Sequence, residues 1–260
     1  MTGLIENVSV VLVEPQDDIN IGNAVRASKN FGIEDLRLVN PANADRERIA
    51  ISAPRAHETI DRMGRFGSLD EALDDCVMTV GLTARVRSAH WRVLEPEQAA
   101  AELIAEAAKG RRVAMLFGRE DSGLPNSALD RCQAVVTIPT NPDYSSINLG
   151  QAVLLMVWEV SRALRKMEAG DVETAPRLAM QAEWHSEFDP APMAGLTRMF
   201  GQAEAALQAI EFVKGSSNDH IMRSLRSVFL RARLDSRELA IWHGIFKEIV
   251  AYMRRKGMEP

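Results

Sequence analysis

The chain has 260 residues, 46% hydrophobic and 26% charged, with a formal net charge of −5. These are the proportions of a soluble globular protein long enough for one sizeable domain and a small one. They exclude a uniformly basic nucleic-acid coat but leave room for a local basic patch. No apolar run approaches the ~20 residues that span a bilayer, so no membrane association is expected. The start, Met1-Thr2-Gly3-Leu4-Ile5-Glu6-Asn7, is neither basic nor apolar, and a cytoplasmic protein without a signal peptide is expected. Cys76, Cys132 and the scattered histidines lack metal-ligand spacing, so free thiols and no metal site are expected.

Val8–Val13 is a continuous apolar run, the pattern of a buried strand. A polar loop, Gln16 to Gly22, leads to a helix predicted from about Asn23 to Phe31 and closed by Gly32. Leu36–Val39 is a second strand, and strand-helix-strand implies a parallel sheet. Asn43 to Asp61 is charged and ambiguous. Ser68 and Glu71 have capping-box spacing for a helix over Leu69 to Asp75, before a third strand at Val77 to Gly81. The basic stretch Leu82 to Arg92 is either a solvated loop or one that meets an anionic ligand. Pro96 opens a helix that runs to Lys109-Gly110. Val113–Phe117 is a fourth strand, and a short helix precedes a fifth at Val135 to Ile138. The alternation predicts an α/β fold over the first ~165 residues with both sheet faces covered.

After the fifth strand, Pro139 and Pro142 bar ladder pairing, and Ser145, Ser146 and Asn148 can bond the backbone of the resulting turn. Asn148 and Gln151 have capping-box spacing for a helix from Leu149 to about Met167. Its first half is so apolar that burial nearly all round is expected. The expected organisation is an α/β domain over 1–168, a linker over 169–192 punctuated by Gly170, Pro176, Pro190 and Pro192, and a helical domain over 193–260. Three helices are predicted there: about Met193 to Lys214, His220 to Arg233 and Ser236 to Arg255. In the second, Ile221, Leu225, Val228 and Phe229 form an apolar face. Arg223, Arg226 and Arg233 lie opposite it and are expected to face solvent. In the third, Ile241, Ile245, Ile249 and Met253 recur every four residues.

Ligands of open α/β sheets bind beyond the carboxyl ends of the strands. Three polar loops fall there: Pro15 to Gly22, Gly118 to Pro125, and Pro139 to Asn148. Asn20 and Arg26 flank the start of the first helix, and Gly118 lets a ligand approach the backbone beside Glu120. An arginine placed like Arg26 is commonly just solvated, and Arg119 and Glu120 could simply pair on the surface. The chain has no dinucleotide-binding glycine fingerprint, no P-loop, no nucleophile elbow and no His-Glu-x-x-His.

Three segments resemble, in order, the three motifs of the SpoU/TrmH class of SPOUT methyltransferases. They are Asn20-Ile21-Gly22-Asn23-Ala24-Val25-Arg26, Leu116 through Leu124 (Leu-Phe-Gly-Arg-Glu-Asp-Ser-Gly-Leu), and Ile138-Pro139 followed by Ser145 through Val153. Thr83-Ala84-Arg85 and Leu225 through Leu234 are similar to the TrmJ-type branch of tRNA ribose methyltransferases. The resemblance covers nearly the whole chain and is weakest in the linker.

The resemblance implies a parallel sheet with a C-terminal trefoil knot, S-adenosylmethionine bent in that knot, and a homodimer with its site at the subunit interface. The implied reaction is metal-free methylation of a ribose 2′-hydroxyl in tRNA, at cytidine or uridine 32 of the anticodon loop. The alternatives are another tRNA or rRNA position, or a non-catalytic knotted RNA-binding protein. Arg26 matches the arginine to which proton removal is assigned, although a guanidinium keeps its proton in proteins and can instead stabilise an alkoxide. Asn20, Glu120, Ser146 and Asn148 match the other polar positions. Thr83, Ala84, Arg85, Gly118 and Glu120, with Ile138, Ile147, Asn148 and Ala152, are the implied cofactor contacts. Arg85, Arg87, Arg223, Arg226 and Arg233 are the candidate RNA contacts. The implied donor site and the tail arginines fall in different domains, so the two are expected to work independently.

Overall fold

The computed structural model describes residues 2–84, 91–170, 188–212 and 218–257. Arg85, Arg87 and most of the expected linker lie outside the described residues. The elements begin with α1 (Thr2–Ile5), β1 (Val8–Val13), α2 (Asp18–Asn30) and β2 (Asp35–Val39). Then come α3 (Arg46–Ser52), α4 (His57–Arg62), β3 (Gly64–Phe66), α5 (Leu69–Ala72) and β4 (Cys76–Leu82). Next are β5 (Val93–Leu94), α6 (Pro96–Ala107), β6 (Arg112–Phe117), α7 (Asn126–Leu129) and β7 (Ala134–Val136). The chain continues with α8 (Leu149–Glu168), α9 (Met193–Ala209), α10 (Asn218–Ala232) and α11 (Ser236–Arg255).

The strands form one seven-stranded sheet in the order β3-β2-β1-β6-β4-β7-β5, with every neighbouring pair parallel. β1 and β6 are central and lie between two hydrophobic layers, which is why their sequences are continuous rather than alternating. On one face Val10, Leu12, Met115 and Phe117 pack with Val153, Met156 and Val157 of α8 and with α2 and α6. On the other, Val11, Ala114, Leu116 and Val135 share a core with Met199, Phe200 and Ala203 of α9. The C-terminal helices therefore cover one face of the sheet.

Two departures in the α/β part have local causes. The first helix begins at Asp18, not near Asn23, because Asp17 caps it by accepting the Ile19 N–H at 3.0 Å. Gly22 suggested a loop but is helical: a Cβ there would stand 2.1 Å from Ser52 Oγ and 2.3 Å from the Ile49 carbonyl, so the glycine serves the crossing with α3. The ambiguous charged stretch resolves into α3 and α4. The strand placed at Val135 to Ile138 is Ala134–Val136, which puts Ile138 in the following loop.

The other departures concern exposed and buried faces. Helix α8 is not covered all round: Leu154, Leu155 and Trp158 are 41–42% exposed, on the side away from Val153, Met156 and Val157. Ile241 and Ile245 of α11 are exposed as well, while Leu239 and Phe246 are buried. The buried face of α10 carries Met222, Phe229 and Leu230, whereas Val228 is 51% exposed.

The tail arginines, expected to face solvent, instead meet the rest of the molecule: Arg223 and Arg226 from one side of α10, and Arg233 from the positive-φ turn that follows it. Arg223 Nε donates to Asp130 at 2.7 Å, Arg226 lies over the Phe200 ring at 5.5 Å, and Arg233 pairs with Glu102. Hydrophobic spacing could not reveal this, because an arginine stem packs like an apolar side chain while its head finds a carboxylate or a ring.

A charged cluster ties β2 to β6. Arg37, 8% exposed, donates to Asp35 and Asp75, and Arg112 reaches both carboxylates. Burial alone would raise Asp35 and Asp75, but hydrogen bonds from Arg37 (and, at Asp35, Ser9) and the charges of Arg37 and Arg112 hold both below the ordinary carboxylate value. Their stabilising contribution is complete above the unfolded carboxylate value of ~4 and is lost as pH falls through the lower folded values. The melting-temperature gap between wild type and Arg37→Met should therefore be constant from pH 7 to about 5 and narrow only below ~4. A gap that closes between pH 7 and 5 in thermal melts would contradict this role. Both thiols are buried, and burial pushes Cys132 up to about 12, so neither suits nucleophilic chemistry at neutral pH.

Candidate active site at the strand-end loops

The loops after β1 and β6, and the loop between β7 and α8, meet at the carboxyl edge of the sheet. Glu120 is the centre of a hydrogen-bonded chain among them. Its Oε1 accepts from Asn20 Nδ2 at 3.1 Å and from the Asp17 N–H at 3.3 Å; its Oε2 accepts from the Gln16 N–H at 3.0 Å. Asn148 Nδ2 donates to Asn20 Oδ1 at 2.9 Å, while Asn148 Oδ1 caps α8 by accepting from the N–H groups of Gly150 and Gln151. One carboxylate thus fixes the start of α2, and through Asn20 the start of α8, to the loop leaving β6. Glu120→Gln replaces one acceptor oxygen by an NH2 facing donors. It is expected to cost roughly 1–3 kcal/mol of stability, read as a lower urea midpoint. An unchanged midpoint would remove Glu120 from this role.

Beside this chain lies a cavity of about 240 Å³. Leu82, Thr83, Ala84, Gly118, Glu120, Ile138, Ser146, Ile147 and Ala152 are among its walls, with Leu129, Val136 and Leu149. The Thr83 N–H donates to the Val136 carbonyl at 3.0 Å, tying the β4 end of the wall to β7. Gly118 is enforced by the loop itself, since a Cβ would fall 2.1 Å from the Gly123 carbonyl carbon and 2.2 Å from the Leu124 nitrogen. Asp121 lines the mouth, and hydrogen bonds from Arg119 and then Ser122 hold its carboxyl down at about 2. Apolar walls for a flat group and an ionised mouth suit a ligand that is part nucleoside and part cation.

Most of the expected site residues come together here. Thr83, Ala84, Gly118, Glu120, Ile138, Ser146, Ile147 and Ala152 line the cavity, and Asn20 and Asn148 are bonded at its edge. Arg26 does not join them within one chain. It is exposed on α2, six residues beyond Asn20, with no ion pair or hydrogen bond among the described residues. The sequence reading did not assign Gln16 and Asp17, whose backbone N–H groups bind Glu120. It also left open the Arg119 contacts, to Asp121 at 3.1 Å and Glu14 at 3.6 Å. The usable signal was Asp17 as a helix cap, hidden by reading Gly22 as a loop residue. Among the described residues no group of three or more histidine, cysteine, aspartate or glutamate side chains could hold a metal ion, and no helix is long and apolar enough to cross a membrane.

Parallel strands ending in loops that converge on a cavity of this kind define a class that comparison can name. Residues 7–158 match the model of the SpoU rRNA Methylase family, and residues 194–258 match that of the tRNA methyltransferase TrmJ C-terminal domain. A tRNA (cytidine/uridine-2'-O-)-methyltransferase TrmJ from Salmonella choleraesuis is 37% identical over 95% of this chain and 97% of its own length. Its counterpart from Escherichia coli O6:K15:H31 is 38% identical over 95% of this chain and 96% of its own. The crystal structure of TrmJ from Z. mobilis ZM4 superposes with a TM-score of 0.78 at 29% identity, covering 93% of this chain and 98% of that one. The chain belongs to the SpoU methylases and, within them, to the TrmJ family.

Proposed function

We propose that this protein transfers a methyl group from S-adenosylmethionine to the ribose 2′-hydroxyl of cytidine or uridine 32 in tRNA, acting as a cytoplasmic homodimer. The observation that carries the reading is the Asn148–Asn20–Glu120 chain, which joins the three family motifs at the wall of one cavity. The TrmJ relatives, named for cytidine and uridine 2′-O-methylation of tRNA, support the substrate class. The donor supplies a methyl group on a sulfonium, already activated without a metal. Thr83, Ala84, Gly118, Ile138, Ile147 and Ala152, which line the cavity, would hold it, and the loops 118–125 and 138–148 would form the trefoil knot. Glu120, Asn20 and Asn148 fix the geometry of those loops. Ser146 lies on the cavity wall and would meet the incoming ribose.

Arg26 is proposed to complete the site of a second copy. It is exposed and has no ion pair among the described residues, and the uncovered apolar side of α8 is the candidate dimer surface, since Trp158 there meets Phe31 at the end of α2 edge to face. From that position its guanidinium would fix the phosphate beside the target ribose and stabilise the developing alkoxide while the hydroxyl proton passes to water; the oxygen takes the methyl group as the sulfonium–methyl bond breaks, leaving the thioether S-adenosylhomocysteine. The protein is proposed to contact tRNA through Arg85 and Arg87 of the loop after β4 together with exposed tail cations such as Arg198 and Arg254. Arg223, Arg226 and Arg233 have internal partners. Mapping 2′-O-methyl groups in tRNA from a strain lacking the gene tests the assignment. Loss of Cm32 and Um32 alone is expected; an unchanged position 32, or loss elsewhere, would redirect it.

A further inference from the structure

The wall of the cavity includes Leu129 and Val136, and behind Leu129 lies the tail helix α10. Asp130 immediately follows Leu129 at the end of α7. Its side chain is 8% exposed; Oδ2 accepts from Arg223, and Oδ1 is buried without a hydrogen-bond partner. Arg92 follows the Thr83–Ala84 segment of the wall along the chain. Its carbonyl accepts the Val135 N–H at 2.8 Å, one residue from Val136. The Arg92 guanidinium is bidentate on Glu102 of α6, and the same carboxylate, 6% exposed, accepts from Arg233. Trp91, Arg92, Leu129, Asp130 and Arg223 line one small gap where α10 meets the α/β layer.

We propose that Arg223 and Arg233 are positioning residues for the methyl-donor cavity, Arg223 holding the Leu129 wall through Asp130 and Arg233 holding the Arg92 anchor through Glu102. This rests on reading the cavity as the donor site. Two buried carboxylates bind these segments of the α/β layer, and each depends on a cation from the tail. Removing Arg223 leaves Asp130 buried with neither oxygen engaged. That carboxylate must then draw in water or swing out, and Leu129 moves with it. Removing Arg233 leaves Glu102 with Arg92 as its one cation, so the bidentate pair persists but loses its tie to the tail, and Glu102 and Arg92 can shift together. The seating of α10 therefore sets donor affinity. By linkage, whatever ligand binding does to the tail is felt reciprocally in the cavity.

The test is calorimetric titration of S-adenosylmethionine into the full-length protein, with thermal melts and steady-state kinetics on the same samples. Arg223→Ala and Arg233→Ala should each weaken donor binding by several-fold and the double variant by more. The KM for donor should rise while the KM for tRNA changes little. Arg223→Lys and Arg233→Lys should recover most of the affinity, because the carboxylates keep a cation. If an alanine variant does not fold, Asp130→Ala takes its place: it removes the acceptor of the wall link, Arg223, 39% exposed, can turn to solvent, and donor binding should also weaken several-fold. Donor affinity within twofold of wild type in the folded variants, with only melting temperature lowered, would overturn the proposal. Failure of the wild-type protein itself to bind donor would instead overturn the reading of the cavity on which it rests.

Discussion

Arg26→Ala is expected to lower turnover by about 10³-fold, the scale of removing a group that stabilises charge developing in the transition state. Donor affinity and melting temperature should hardly move, since Arg26 is exposed, lies off the cavity wall and has no partner among the described residues. The combination separates a catalytic role from a structural one. Arg26→Lys should also be slow, because an ammonium keeps the charge but not the planar fork that grips a phosphate and an alkoxide together. Single-turnover methylation of tRNA measures both variants, and near-normal rates for Arg26→Lys would rule out a guanidinium-specific role.

Gly118→Ala should act on donor binding instead of turnover. A single methyl at this position would occupy the space of the Gly123–Leu124 backbone, so the loop has to open. Flexible side chains can give way, but a backbone segment that lines the cavity cannot do so without reshaping it. Donor affinity should fall at least about tenfold, read by calorimetry on protein whose circular dichroism is unchanged. Wild-type affinity would displace the donor from this loop. The two variants also test the composite site together. Mixed dimers of Arg26→Ala and Gly118→Ala chains should regain up to about a quarter of wild-type activity if Arg26 serves the other copy's cavity. They should regain none if it serves its own.

Elements whose identity rests on local pattern were legible in the sequence. The buried runs Val8–Val13 and Val113–Phe117 could be read as central strands because two covered faces leave no alternation, and Asn148 and Ser68 marked helix starts through their spacing to Gln151 and Glu71. What escaped depends on partners distant in sequence. Gly22 suggested a loop until Ser52 and Ile49 were beside it. Arg223, Arg226 and Arg233 read as a solvent face until Asp130, Phe200 and Glu102 came up against them. Apolar spacing alone predicts cover all round α8, while the family resemblance makes it a candidate interface helix; within one chain Leu154, Leu155 and Trp158 are exposed, because spacing carries no information on what covers a face. At the site, the motif side chains could be named in advance. The role of the Gln16 and Asp17 backbone in holding Glu120 could not, since backbone donors leave no trace in residue type.

The most direct measurement is to incubate the purified protein with an unmodified tRNA transcript and methyl-labelled S-adenosylmethionine, digest the RNA to nucleosides and identify the labelled product by mass spectrometry. The account predicts 2′-O-methylcytidine or 2′-O-methyluridine, formed without added metal, with the label absent when the ribose at position 32 is replaced by its 2′-deoxy form. Label on a base, or no transfer by a protein that binds both donor and tRNA, would contradict it.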